Sequence, residues 1–164
     1  MNRSLFISLL IIFNIVIDRV SKLFVEAKMN LGQEIELIGH KFILKYVKNE
    51  GAFLGMGSDL NPTLRILLLL VLPVVVLAYV TYYILKNKDM DKLSLIAFCC
   101  IIGGGIANVF DRLAYGEVTD FFFIDLGGVF RTGIFNVADM SVTFGLLALI
   151  LSNFLKKKPI SNQA

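Results

Sequence analysis

The chain has 164 residues, a formal net charge of +3, 57% hydrophobic residues and a mean hydropathy of +0.77. That is enough for one domain, and too apolar for an ordinary soluble one. No basic run interleaved with aromatics suggests nucleic-acid binding, and His40 is the only histidine, which excludes a His-rich metal site. Cys99 and Cys100 sit side by side in an apolar run and read as packing residues rather than a disulfide framework.

In chain order, Leu5 to Ile17 is interrupted only by Ser8 and Asn14, and apolar character resumes at Leu23 to Val25. This predicts a first transmembrane helix over about 4–25. A cleaved signal peptide is the alternative. No small-x-small site follows, and Asp18-Arg19-Val20-Ser21-Lys22 stands where cleavage would fall. Asp18 and Lys22 are four apart, so they share a helix face and can pair. Residues 26–62 form a long, mixed-polarity loop. Within it Lys41 to Val47 alternates, with Phe42, Leu44 and Tyr46 on one side, which predicts a strand. Asn49-Glu50-Gly51-Ala52-Phe53, Gly55, Gly57 and Ser58 follow, either a plain flexible loop or a place where a ligand approaches the backbone.

A second helix is expected over about 63–85, kinked at Pro73. Lys86 to Lys92 is a charged turn. The third helix covers about 93–113, with Gly103-Gly104-Gly105 in its second half, where glycines allow close helix contact or passage of a bulky ligand. A connection over 114–133 leads to a fourth helix over about 135–155, closed by Lys156, Lys157, Lys158 and Pro159 before a mobile tail. The lysines of the 86–92 turn and of the C-terminal end place both termini in the cytoplasm and the two long connections outside. Asp18, Asn49, Asn108, Asp111, Asp120, Asn136 and Asp139 then gather near the outer face.

Asn108 and Asp111 are three apart, as are Asn136 and Asp139, so each pair projects from one helix face. Two carboxylates sharing a site hold one proton between them. The charged member can activate water and the neutral one protonate a carbonyl, which is aspartic-protease chemistry needing no cofactor. Asp139 pairs in this scheme with either Asp111 or Asp120, and spacing does not choose. Each acid alone reads better as structure: Asp111 as the ion partner of Arg112, Asp139 as a helix cap. A proton or ion transporter is the competing function, and would spread acids through the bilayer depth. A structural scaffold would explain the hydrophobicity but not the clustered acids.

Five motifs in order resemble the bacterial lipoprotein signal peptidases (signal peptidase II). They are Asp18-Arg19-Val20-Ser21-Lys22, Asn49-Glu50-Gly51-Ala52-Phe53, Gly104-Gly105-Ile106-Ala107-Asn108-Val109-Phe110-Asp111-Arg112, Val118-Thr119-Asp120-Phe121 and Phe135-Asn136-Val137-Ala138-Asp139-Met140-Ser141. The resemblance implies a four-span membrane aspartic endopeptidase with a small extracytoplasmic β-platform, acting as a monomer in the bacterial inner membrane. Its substrates would be prolipoproteins, cut before a cysteine that carries a diacylglyceryl group. It implies Asp120 and Asp139 as the catalytic dyad. Asn49, Gly51, Gly104, Asn108, Asp111, Arg112, Asn136 and Ala138 fall in supporting or substrate-binding positions, and Asp18 and Lys22 in structural ones. No metal is implied, and Gly103 to Gly105 are expected to make room for the substrate helix.

Overall fold

Four helices are long and apolar enough to cross a membrane: α1 Arg3–Lys28, α2 Pro62–Lys86, α3 Lys92–Tyr115 and α4 Val137–Lys156. The computed structural model describes residues 2–51 and 61–156. Ala52, Phe53, Gly55, Gly57, Ser58 and the Lys157–Pro159 tail lie outside the described residues. Many large apolar side chains on the spans face outward. Phe13, Tyr79, Leu113 and Phe154 are each more than three-fifths exposed, as a hydrocarbon solvent permits. The protein is a multi-pass membrane protein.

Helix ends are set by local chemistry. Asn2 Oδ1 accepts from the Ser4 N–H and Asp91 Oδ1 from the Ser94 N–H, capping α1 and α3. Gly116, in the left-handed conformation at φ 79°, stops α3. Pro62 opens α2 behind its cap Asn61. Pro73 cannot donate a hydrogen bond, and its ring would meet the Leu69 carbonyl in regular α geometry. The helix takes up the misfit as one π turn over Leu67–Val71, with the Leu72 N–H reaching back to the Leu67 carbonyl.

The expected strand is part of a three-stranded antiparallel sheet, β1 Glu34–Ile38, β2 Phe42–Asn49 and β3 Val118–Ile124, in that order. Because β2 comes from the first connection and β3 from the second, their pairing brings both connections to one end of the bundle. The register is irregular between Leu44, opposite Phe122, and Val47, opposite Asp120. This bulge breaks the simple alternation read from Lys41 to Val47. Ile43 and Tyr46 are the buried pair, although they differ in parity. Phe135 bridges to Phe122, so α4 starts at Val137 rather than at Phe135.

α3 lies at the centre, packed most extensively on α4 and then on α1. The glycine triplet makes this possible. A Cβ on Gly103 would lie 2.6 Å from the Asn14 Cβ, and one on Gly104 would run into the Ala138 carbonyl oxygen. A Cβ on Gly105 would come 2.6 Å from the Leu77 side chain. All three face other helices of the bundle. The space expected for a substrate helix is filled by α1, α4 and α2, because small residues let backbones approach where no hydrophobic effect drives them together.

Candidate active site

The site forms where the sheet meets the ends of α1, α3 and α4. Asn136 caps α4: its Oδ1 accepts from the Asp139 N–H at 2.9 Å, and Asp139 Oδ2 accepts from the Asn136 N–H at 3.1 Å. This is a reciprocal capping box. The structural role expected of Asp139 is therefore present, and it also fixes one carboxylate oxygen. The other, Oδ1, accepts from Asn108 Nδ2 at 2.8 Å.

With its oxygen committed to the helix, Asn136 turns its Nδ2 outward. That nitrogen donates to Asp120 Oδ1 at 2.6 Å and to Asn108 Oδ1 at 3.1 Å. Asp120 Oδ2 accepts from Asn49 Nδ2 at 2.7 Å. One fully buried residue thus holds both acids, its side-chain amide donating to the Asp120 carboxylate and its backbone N–H to the Asp139 carboxylate. Burial pushes the Asp120 carboxyl up to about 6; hydrogen bonds from Asn49 and Asn136 oppose this, and the charge of Asp139 adds to it.

Asp111 is turned elsewhere. Lys22 Nζ lies 2.6 Å from Asp111 Oδ2, 2.7 Å from Asp18 Oδ2 and 3.1 Å from Asn108 Oδ1. Arg19 approaches Asp111 at 3.5 Å. Lys22 is fully buried, so all three of its protons are used inside the protein. An ammonium only donates. Its contact therefore forces the Asn108 oxygen toward α1 and presents the Asn108 NH₂ to Asp139. Asp18 uses its second oxygen to accept from the Ala138 N–H at 2.8 Å, which ties α1 to the first turn of α4. Asp18 and Lys22 pair as their spacing suggests, and the pair also orients the site. Asp111 is ion-paired, but with Lys22 rather than its sequence neighbour Arg112.

Arg112 Nη2 donates to the Gly51 carbonyl at 2.8 Å and Nη1 to the Asn108 carbonyl at 3.3 Å. Its Nε is buried and has no hydrogen-bond partner among the described residues. Gly51 also donates its N–H to Asn49 Oδ1 at 2.9 Å, leaving the Asn49 amide nitrogen for Asp120. Gly104 and Ala138 are the contact that lets α3 and α4 close on each other beneath the site.

A clamp that sequence reasoning missed holds β3. Glu26 Oε1 accepts from Thr119 Oγ1 at 2.6 Å and from Lys48 Nζ at 3.1 Å. Burial alone would lower the Lys48 amine, but the Glu26 hydrogen bond and charge hold it above the usual lysine range. Thr119 fastens the strand one residue from Asp120. Glu26 falls near the apparent end of an apolar run and gave no signal of this.

Beside Asp139 opens a cavity of about 320 Å³, lined by apolar surface from Ile124, Phe135, Met140 and Phe144, with Thr132 and Thr143 in its wall. The described residues hold no group of three or more His, Cys, Asp or Glu side chains placed to bind a metal.

The profile of a family described as Signal peptidase (SPase) II matches residues 10–155. The lipoprotein signal peptidase of Clostridium tetani is 32% identical over 143 residues, covering 87% of this chain and 88% of its own. That of Borrelia turicatae is 31% identical over 166 residues, covering 98% and 94%. A bacterial membrane enzyme solved by the in meso method at 2.3 Å superposes with a TM-score of 0.81 at 24% identity, covering 96% of this chain and 93% of that one. At that identity the likeness speaks for the fold.

Proposed function

The chain belongs to the signal peptidase II family, and from that premise we propose that it is an aspartic endopeptidase. It removes signal peptides from prolipoproteins, cutting before a diacylglyceryl-modified cysteine. The observation that most supports the reading is Asn136, whose side-chain amide donates to the Asp120 carboxylate and whose backbone N–H donates to the Asp139 carboxylate, beside an apolar cavity. Asp120 and Asp139 form the dyad. Asp111, the other acid that spacing allowed, is spent on Lys22.

In the mechanism, Asp139 is the base. Its carboxylate, held by Asn108 and the Asn136 N–H, takes a proton from a water that attacks the scissile carbonyl carbon. Asp120 holds the dyad's proton and gives it to the carbonyl oxygen, so the intermediate is a neutral gem-diol. Its collapse breaks the C–N bond. A proton passes to the departing cysteine nitrogen, and one returns to Asp120 from a diol hydroxyl. Arg112, with one buried N–H unpaired among the described residues, suits a peptide carbonyl of the substrate. The apolar cavity suits a lipid chain. The protein sits in the bacterial cytoplasmic membrane with both termini inside and the sheet at the outer face, where lipidated precursors arrive through the bilayer.

A transporter would need acids along the depth of the bundle. The acids of the spans, Asp18, Glu26, Asp111 and Asp139, lie toward the sheet end, and α2 has none. The test is cleavage of a diacylglyceryl-modified precursor by purified wild type and by Asp111→Asn, Asp120→Asn and Asp139→Asn, each checked for folding in detergent. Folded but dead Asp120 and Asp139 variants support the dyad. Retained cleavage by either folded variant overturns it.

A further inference from the structure

The hairpin that follows β3 has a tip unlike the rest of the sheet. Leu126, Val129 and Phe130 are 65%, 91% and 73% exposed, three large apolar side chains in five residues. The tip is nevertheless built to hold its shape. Gly127 and Gly128 take positive φ of 89° and 60°, which other residues rarely adopt. The Leu126 N–H donates to the Phe130 carbonyl at 2.9 Å, and the Gly127 N–H to Asp125 Oδ1 at 2.9 Å. An ion pair of Arg131 Nε with Asp125 Oδ2 at 2.9 Å closes the neck.

The neck also has a depth. Ile124, Thr132 and Gly133 share a cavity wall with Met140, Thr143 and Phe144 of α4. Phe144 is seven residues past Val137, so at ~1.5 Å per residue it lies roughly 10 Å along the helix axis from the start of the span. Phe144 is itself 60% exposed. The neck thus borders a cavity that runs from the start of α4, at Phe135 and Asp139, down to Phe144.

We propose that the 125–131 hairpin is a membrane-inserting element. Leu126, Val129 and Phe130 sit among lipid acyl chains, and the Asp125–Arg131 pair lies at headgroup level. Its occupant is the bilayer itself, because the neck that carries the tip borders the same cavity as Phe144, an exposed apolar residue within a membrane span. Apolar side chains carried by a charged neck suit that boundary. The inference rests on the chain spanning a membrane and does not depend on the peptidase reading.

The sequence contains no tryptophan, so one introduced indole reports alone. Phe130→Trp and, separately, Val129→Trp are reconstituted in phosphatidylcholine/phosphatidylglycerol vesicles that hold no other protein. Glu36→Trp, on exposed β1, serves as the water-facing control. Helical content by circular dichroism checks each fold. The expected result is blue-shifted emission from both tip reporters, strong quenching by lipids brominated on their acyl chains, and little quenching by aqueous iodide. The control should show the reverse. Tip indoles that emit like the control, with iodide quenching and no bromolipid quenching, overturn the proposal and make the tip a surface for a water-soluble partner.

Discussion

Replacing Asn136 by alanine removes the side-chain amide that donates to the Asp120 carboxylate and accepts from the Asp139 N–H. Asp120 loses a donor at 2.6 Å and keeps the one from Asn49. A hydrogen bond to a charged group contributes about 1.5–3 kcal/mol, and one pKa unit is about 1.36 kcal/mol. The Asp120 carboxyl, at about 6 in the wild type, should therefore rise by roughly one to two units. In the proposed mechanism the dyad must hold one proton, so kcat/KM falls as pH rises past the Asp120 value. That alkaline limb should lie near pH 6 in the wild type and move up by roughly one to two units in Asn136→Ala. Losing the cap of α4 also costs roughly 0.5–2 kcal/mol of stability, so helical content must be followed across the pH range. The assay is cleavage of a diacylglyceryl-modified precursor peptide under kcat/KM conditions from pH 4.5 to 9. A folded, active variant whose limb stays at the wild-type pH, or moves toward acid, refutes the assignment of the proton to Asp120.

The same carboxyl should show in stability. Its folded value is raised above the ordinary aspartate value of about 3.9, so its contribution is fully present below about pH 4 and is lost as pH rises through about 6. Relative to wild type, Asp120→Asn should gain up to about 3 kcal/mol between pH 4 and pH 7 in paired detergent melts; a constant difference would contradict this. Lys22→Met leaves Asp18 and Asp111 buried without their ammonium and should cost about 3–5 kcal/mol. Adding Asp111→Asn should recover part of that loss, measured by the same melts. Gly104→Ala forces α3 away from Ala138 and should cost about 1–3 kcal/mol. It should also lower kcat, because Asp139 is the next residue, while Gly105→Ala meets only the flexible Leu77 side chain and should be milder. Cleavage should survive chelators and thiol reagents unchanged, and loss of activity with a chelator would point to a metal that the mechanism does not use.

Much of the fold could be read from the sequence because its signals are local. A bilayer demands about twenty apolar residues per crossing, and that requirement marks four spans in any order-independent scan. Asp139 reads as a cap because capping acts within one turn, while the caps at Asn2, Asp91 and Gly116 and the reciprocal partner Asn136 went unread. β3 was less legible. Val118 to Phe121 are buried on both faces, so the strand has no alternation to detect. The bulge in β2 hid its true inward side for a related reason, since one extra residue reverses the parity that a sequence pattern depends on.

The site divides along the same line. The sequence by itself determined which residues are polar at a membrane edge, and that Asp18 and Lys22 share a helix face. Only the tertiary structure decided which partner each acid bonds to. Asp111 and Asp120 were equal candidates as partners of Asp139 until Lys22, 89 positions before Asp111, drew Asp111 away. The Asn136 amide then bonded to Asp120. Hydrogen bonding is short-ranged and directional, so an amide's choice of partner depends on chain segments that sequence spacing does not relate. The glycine triplet illustrates the point from packing: its small volume was visible in the sequence, but whether a ligand or a neighbouring helix fills that space is settled only when α1, α2 and α4 close on α3.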